Sequence, residues 1–310
     1  MPPEHAHDHA HDQQGHSHAP ARFGAAFAIG TALNLGLVIA QIFYGLAANS
    51  MALLADAAHN FGDVLALLLA WGAAWLGQRS PSARRTYGWG RGTILAALIN
   101  AVVLLIGVGA IGIEAIQRLQ SPGPIAGSTV IAVGLAGIAV NGFTAFLFSR
   151  GHNDLNIRAA FLHMVGDAAV SLGVVLAALA ILATGWFWLD PLASLGIAVV
   201  IVLGTWGTLR DAVHLAMDGV PAQVPHGKVR SYLAGLTGVL EVHDLHIWGL
   251  STTRIALTAH LVRNAAADDQ VLIRAAVAGL HEHFSINHAT IQVESEELAQ
   301  ACRLRPDHVV

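Results

Sequence analysis

Hydrophobic and polar positions segregate along this chain into long blocks. After a polar start come six apolar runs, at 23–46, 51–76, 92–116, 125–148, 155–183 and 191–209. Each has the ~20 residues that a helix needs to cross a hydrocarbon core. Short loops at 47–50, 77–91, 121–124, 149–154 and 185–190 separate them, built from the Gly, Pro, Ser, Asn and Arg residues that end helices. The pattern predicts six transmembrane helices. Beyond Arg210 the apolar runs shorten and charges return, which predicts a small α+β unit. Its expected elements are a helix at 224–236, strands at 239–249 and 253–262, a helix at 268–284 and a strand at 289–294. The chain thus divides into a polar tail (1–22), a membrane domain (23–209), a soluble domain (210–297) and a polar end (298–310) expected to fray.

Composition agrees with a membrane protein whose partner is lipid. Hydrophobic residues make up 55% of the chain and charged residues 12%, and the mean hydropathy is +0.57. The few basic residues form no cluster of the kind a nucleic-acid footprint needs, so no nucleic-acid partner is expected. Their placement fixes orientation instead. Arg22, then Arg79, Arg84, Arg85 and Arg91, then Arg150 and Arg158, then Arg210 flank ends that share one side under a six-span topology. By the positive-inside rule both termini are cytoplasmic, with Arg118 the exception. The start lacks a basic stretch leading into an apolar core, so no cleaved signal is expected. Short loops and compact length point to a bacterial cytoplasmic membrane. Cys302 is the only cysteine, which excludes an intramolecular disulfide and a C-x-x-C pair. The tail carries His5, His7, His9, His11, His16 and His18, imidazoles that can gather loosely on zinc or nickel.

Ionisable residues inside the spans are expensive in lipid and mark function by default. The second span reads A-D-A-A-H-N-F-G-D over residues 55–63, and the fifth carries H-M-V-G-D over 163–167. His59 with Asp63, and His163 with Asp167, each lie at i and i+4 on one helix face, about 5–6 Å apart. Each pair is a two-ligand half-site. Together they supply the four N and O donors of a tetrahedral zinc site, with two carboxylates to neutralise a divalent ion. Each pair lies about 15 Å along its span at about 1.5 Å per residue, near the midplane. Gly62 and Gly166 are expected to let the two helices approach at the site. Asp56 shares the stripe of His59 and Asp63, either orienting an imidazole from outside the ligand set or capping the second span.

These stretches, with Y-G-W-G-R before the third span, D-P opening the sixth, and V-H-D-L-H-I-W and H-A-T-I-Q-V-E in the soluble unit, resemble the cation diffusion facilitator family, zinc-transporter branch. The resemblance covers nearly the whole chain after the tail. It implies a homodimer of six-span subunits that exports Zn²⁺ in exchange for protons, with His59, Asp63, His163 and Asp167 as the transport site. It also implies a ferredoxin-like, metallochaperone-type cytoplasmic domain used for dimer contact and zinc sensing. There His243, His260 and Glu294 match metal ligands, making zinc both transported substrate and regulatory ligand. His246 shares the first strand; His281, His283 and His288 read as surface residues. Related zinc transporters often have a histidine where this chain has Gly90, and some add one where it has Gln292. A metal site in the loop before the third span, and a binuclear site in the soluble unit, are therefore not expected.

Other classes are a membrane zinc hydrolase, in which a metal activates water, and a metal sensor that moves nothing. No H-E-x-x-H occurs, and protein donors fill every position of the intramembrane set, so no enzyme is expected.

Overall fold

The computed structural model describes residues 25–148 and 155–306. The histidines of the N-terminal tail, Arg22 and the expected loop at 149–154 lie outside them. Among the described residues, six helices are long and apolar enough to cross a membrane. They are α1 (Ala25–Ala47), α2 (Met51–Gly77), α3 (Gly92–Gln120), α4 (Gly127–Phe148), α5 (Leu155–Thr184) and α6 (Leu189–Ala216). In lipid every backbone group must be satisfied within the segment, which is why apolar runs of this length become helices and nothing else.

Helix α4 packs along α5 and α3 along α6, while α2 lies against α1, α3 and α6 and touches α5 over a short stretch. Small and branched residues make the shared core, among them Ala52, Ala55, Val108, Val130, Val174, Ala178 and Ile201. Large apolar side chains such as Phe43, Trp71, Ile106 and Leu203 point outward, as a lipid-facing surface requires.

The start of α2 is capped from two sides. Ser50 Oγ accepts from Leu53 N at 3.2 Å and donates to Asp190 Oδ1 at 2.5 Å. Asp190, at the head of α6, also accepts from Met51 N at 2.6 Å and Ala52 N at 3.3 Å. Its carboxylate thus meets otherwise unsatisfied amides at the positive end of α2. The exceptional Arg118 has a local role at the same end of the bundle. It donates to Glu114 at 2.9 Å and to the carbonyl and side chain of Asn49 at 3.0 and 2.6 Å, tying α3 to the turn between α1 and α2.

Helix α6 continues past Leu209 through Arg210, Asp211 and His214, a polar extension beyond the apolar run. The soluble unit follows as α7 (His226–Ala234), β1 (Val239–Gly249), β2 (Ile255–Arg263), α8 (Asp269–Phe284), β3 (His288–Glu294) and α9 (Glu296–Ala301). Strand β2 starts later than the sequence pattern implies. Ser251 Oγ accepts from Thr253 N and Arg254 N at 3.1 and 2.8 Å and holds those residues in the turn. The sheet runs β1-β2-β3, with β1 antiparallel to β2 and β3 parallel to β2 through the α8 crossover. This is the α+β arrangement expected of a ferredoxin-like cytoplasmic domain. Its core holds Val229, Leu233, Leu257, Leu261, Ala276 and Leu280.

The expectation that the polar end frays is corrected up to residue 306. Ser295 Oγ accepts from Leu298 N at 3.2 Å and caps α9. Arg305 then grips Glu241 through two hydrogen bonds of 3.0 and 2.7 Å.

Candidate metal sites

The antiparallel run of α2 and α5 decides how their ionisable residues meet. His59 on α2 faces Asp167 on α5, with Nε2 to Oδ1 at 2.9 Å. Farther along α2, Asp63 faces His163, with Oδ1 to Nε2 at 3.2 Å. His163 Nε2 is also 3.8 Å from Asp167 Oδ2, and the two imidazoles lie edge to face with ring centroids 6.2 Å apart. All four residues named from the sequence therefore share one cluster. Donor atoms of His59, Asp63 and Asp167 lie within 4.8 Å of one another, with His163 at the rim. Asp63 Oδ2 and Asp167 Oδ2 are buried and accept no hydrogen bond, so each leaves lone pairs directed into protein without a partner.

Exposure across the cluster is uneven. Only 2% of the Asp167 side chain is exposed against 47% of His163. The open edge belongs to Asp63 and His163, toward the C-terminal end of α2. That end leads to the side where the soluble unit sits, since Thr93 at the start of α3 accepts from Thr252 N at 3.0 Å through its hydroxyl.

Two expectations about this region are corrected. A Cβ on Gly62 would lie 2.9 Å from both Leu104 Cδ atoms, so the close approach that this glycine permits is to α3, not α5; Gly166 faces open space. Asp56 neither orients an imidazole through a hydrogen bond nor caps α2. Its Oδ2 accepts from Gln41 Nε2 at 2.6 Å and Ser171 Oγ at 2.9 Å, and its Oδ1 from Asn60 Nδ2 at 3.5 Å. Asn60 also donates to Gln41 Oε1 at 3.0 Å. Gln41, Asp56, Asn60 and Ser171 are all buried, so this network pins α1, α2 and α5 together one helical turn from the cluster.

A second cluster lies in the soluble unit. Register pairs His243 on β1 with His260 on β2, and Val262 on β2 with Glu294 on β3. His243 Nε2 is 3.3 Å from Glu294 Oε2, but the contact is not aligned as a hydrogen bond, and both His243 nitrogens and Glu294 Oε2 are buried without one. His260 Nδ1 lies 3.1 Å from Glu294 Oε1. Neighbours fix the orientation of these groups. Asp244 faces His260 Nε2 at 3.3 Å from the residue that breaks the β1 register with φ of 49°, and Gln292 donates to Glu294 Oε1 at 2.7 Å. His246 lies apart from the cluster, with Nε2 2.8 Å from Asp244 Oδ1. Glu241, held by Arg305, has its carboxyl below the usual range.

The loop before α3 shows why a larger residue is absent there. A Cβ on Gly90 would lie 2.5 Å from Arg254 Nη2 and 2.8 Å from the Leu250 carbonyl, so the membrane unit and the β1–β2 turn meet at this position. Arg91 next to it pairs with Asp218.

Residues 27–215 match the cation efflux transmembrane domain, and residues 221–296 match the cytoplasmic domain of cation efflux proteins. The zinc transporter ZitB of Pectobacterium atrosepticum is 35% identical over 292 residues, covering 93% of this chain and 89% of its own. The chain belongs to the cation efflux family, in its zinc-transporter branch. A Bacillus subtilis relative named a cadmium, cobalt and zinc/H(+)-K(+) antiporter is 33% identical over 291 residues, covering 91% of this chain and 92% of its own. The metal-bound C-terminal domain of the CzcD transporter from Cuprividus metallidurans shares 33% identity, covering 23% of this chain and 99% of that domain with a TM-score of 0.22.

As a cation efflux protein the chain is a multi-pass membrane transporter of divalent metal. Residues whose place at a cluster the sequence did not reveal include Gln41, Asn60 and Ser171 around Asp56, and Asp244, Gln292 and Cys302 around the soluble cluster. For the first group a signal existed: amide and hydroxyl side chains in otherwise apolar runs. For Cys302 none did, because nothing local shows that a polar tail folds back.

Proposed function

We propose that this protein exports Zn²⁺ from the bacterial cytoplasm in exchange for protons, through a four-residue site made by His59, Asp63, His163 and Asp167. The observation that carries the reading is the cross-pairing of two imidazoles and two carboxylates on facing helices inside the membrane unit. Two His nitrogens and two Asp oxygens suit a tetrahedral zinc site, and the two carboxylates balance the ion's charge where the dielectric is low. The buried lone pairs of Asp63 and Asp167 support it further.

Proton exchange follows from the same atoms. His59 Nε2 with Asp167 Oδ1, and His163 Nε2 with Asp63 Oδ1, are pairs that each share a proton when no ion is present. An ion that takes those donors needs neutral imidazoles and ionised carboxylates, so loading releases protons. After release to the far side, the empty site carries two carboxylates, and protons returning to the pairs restore neutrality before it faces the cytoplasm again. The partly exposed edge at Asp63 and His163 gives entry from the side of the soluble unit. The arginine distribution makes that side, and both termini, cytoplasmic.

In the soluble unit His243, His260 and Glu294 form a resident zinc site that senses cytoplasmic metal. The fit rests on the donor set and on the unpartnered buried atoms of His243 and Glu294. A bound ion would supply charge and a fixed geometry, joining β1, β2 and β3. A homodimer held through this domain agrees with the cytoplasmic-domain match.

Zinc uptake into proteoliposomes carrying a trapped pH dye tests the reading. Zinc uptake coupled to alkalinisation of the lumen, and lost in an Asp63→Ala, Asp167→Ala double variant, is expected. Flux of the double variant equal to wild type sinks the site assignment, and flux indifferent to an imposed proton gradient sinks the exchange.

A further inference from the structure

With His243, His260 and Glu294 alone, a divalent ion in the soluble unit would have three protein donors and one compensating charge. The chain supplies what is missing from its own C-terminal end. Strand β3 ends on Glu294, Ser295 caps α9, and the helix delivers Cys302 back over the sheet. Cys302 Sγ lies 3.8 Å from His260 Nδ1, and donor atoms of His243, His260, Glu294 and Cys302 all lie within 4.8 Å of one another. His243 is 2% exposed, and both its nitrogens are without a hydrogen-bond partner. Asp244 faces His260 Nε2 and Gln292 donates to Glu294 Oε1, so His260 meets Cys302 through its other nitrogen, while Glu294 Oε2 is left without a hydrogen-bond partner.

We propose that Cys302 is the fourth ligand of this site, and that residues 295–305 form a strap that closes a mononuclear His-His-Glu-Cys centre for a thiophilic divalent ion, Zn²⁺ or Cd²⁺. The proposal rests on the reading of the soluble cluster as a metal site. Three features carry it. Zinc-to-nitrogen and zinc-to-sulfur bonds of about 2.0 and 2.3 Å put tetrahedral donors about 3.3–3.8 Å apart, so the cluster needs only a small contraction to bind. A glutamate and a thiolate together neutralise a divalent ion, which the glutamate alone does not. A sulfur donor also biases the set toward soft ions over hard ones. Geometry beyond the ligand makes the segment a strap. It leaves β3 at one edge of the sheet, and Arg305 pairs with Glu241 on β1 at the other edge, beside His243.

Because Cys302 is the only cysteine in the chain, thiolate-to-metal charge-transfer absorption can arise nowhere else. The experiment is a Co²⁺ titration of the full-length protein in detergent, in wild type and in an Asp63→Ala, Asp167→Ala background where the transport site contributes nothing. A sulfur-to-cobalt band that saturates in both proteins, is displaced by Zn²⁺ and is lost in Cys302→Ser and in His243→Ala is expected. A parallel measurement, maleimide labelling of Cys302, is expected to slow on adding Zn²⁺ in wild type but not in His243→Ala. Tetrahedral cobalt absorption that disappears with His243→Ala yet shows no sulfur band overturns the cysteine and leaves the three-residue site. A sulfur band surviving His243→Ala with His260→Ala is adventitious thiol binding and also overturns the proposal. Absence of any cobalt absorption in the Asp63→Ala, Asp167→Ala background overturns the soluble site itself, with the transport reading untouched.

Discussion

His59 Nε2 stands 2.9 Å from Asp167 Oδ1, so the imidazole of α2 pairs with a carboxylate of α5 and not with Asp63 on its own helix. The opposite pair, Asp63 with His163, repeats this at 3.2 Å. Spacing of four residues puts two donors on one face, but antiparallel packing sets which donor of one helix opposes which of the other. The consequence is that each helix contributes one half of each imidazole–carboxylate pair.

Asp167→Asn therefore separates charge from hydrogen bonding. Asparagine keeps an oxygen toward His59 but removes one of the two charges that balance the ion. Zinc flux in proteoliposomes is expected to fall at least about 100-fold, since changing even a residue that only orients a ligand loses about 10–100-fold. The detergent melting temperature should move little, because the buried oxygen still has its partner. Flux within a few-fold of wild type would remove Asp167 from the ligand set.

The spans and the soluble α+β unit were legible because lipid leaves the backbone no alternative to helices and because charge returns after Arg210. The four residues of the intramembrane cluster were legible for a related reason: ionisable groups stand out in apolar runs. Azimuth was not legible. Gly62 precedes Asp63, yet its open face meets Leu104 of α3, and Asp56 lies on the donors' stripe yet is consumed by Gln41 and Ser171. Periodicity says which residues share a face, whereas the neighbour of that face depends on how distant segments pack. The same limit hid Cys302 and Arg305, whose partners lie 42 and 64 residues away.

Asp56→Ala tests whether the network beside the cluster is structural. The change leaves Gln41 and Ser171 buried with donors that lose their acceptor, and each orphaned group costs about 1–3 kcal/mol. A loss of about 2–5 kcal/mol is expected as a lowered melting temperature in detergent. Asp56→Asn retains an acceptor oxygen and should lose less. Equal melting temperatures for wild type and Asp56→Ala would show that the network does not hold α1, α2 and α5 together.

Gly90→Ala probes the joint between the two units. The added methyl meets Arg254 and the Leu250 carbonyl, and the backbone carbonyl has no rotamer by which to move away. Thr252 N is expected to lose its 3.0 Å bond to Thr93 Oγ1 as the turn is pushed off. Limited proteolysis should then cut within 250–254 faster than in wild type, while the melting of the soluble unit's own core stays unchanged. Unaltered cleavage there would mean the two units do not bear on each other at Gly90.

Dimerisation through the soluble unit is tested by a truncation that respects the helix. Since α6 runs to Ala216, removing residues 217–310 spares every membrane-spanning segment and leaves the Asp190 cap on α2 intact. It removes the entire region that matches the cytoplasmic domain. Light scattering of the detergent-solubilised protein is expected to show the mass per particle falling toward one chain as concentration is lowered, at concentrations where the full chain stays paired. A truncated protein that remains dimeric across the same dilution would place the dimer contact within the six helices, and the soluble unit would then have metal sensing as its sole proposed task.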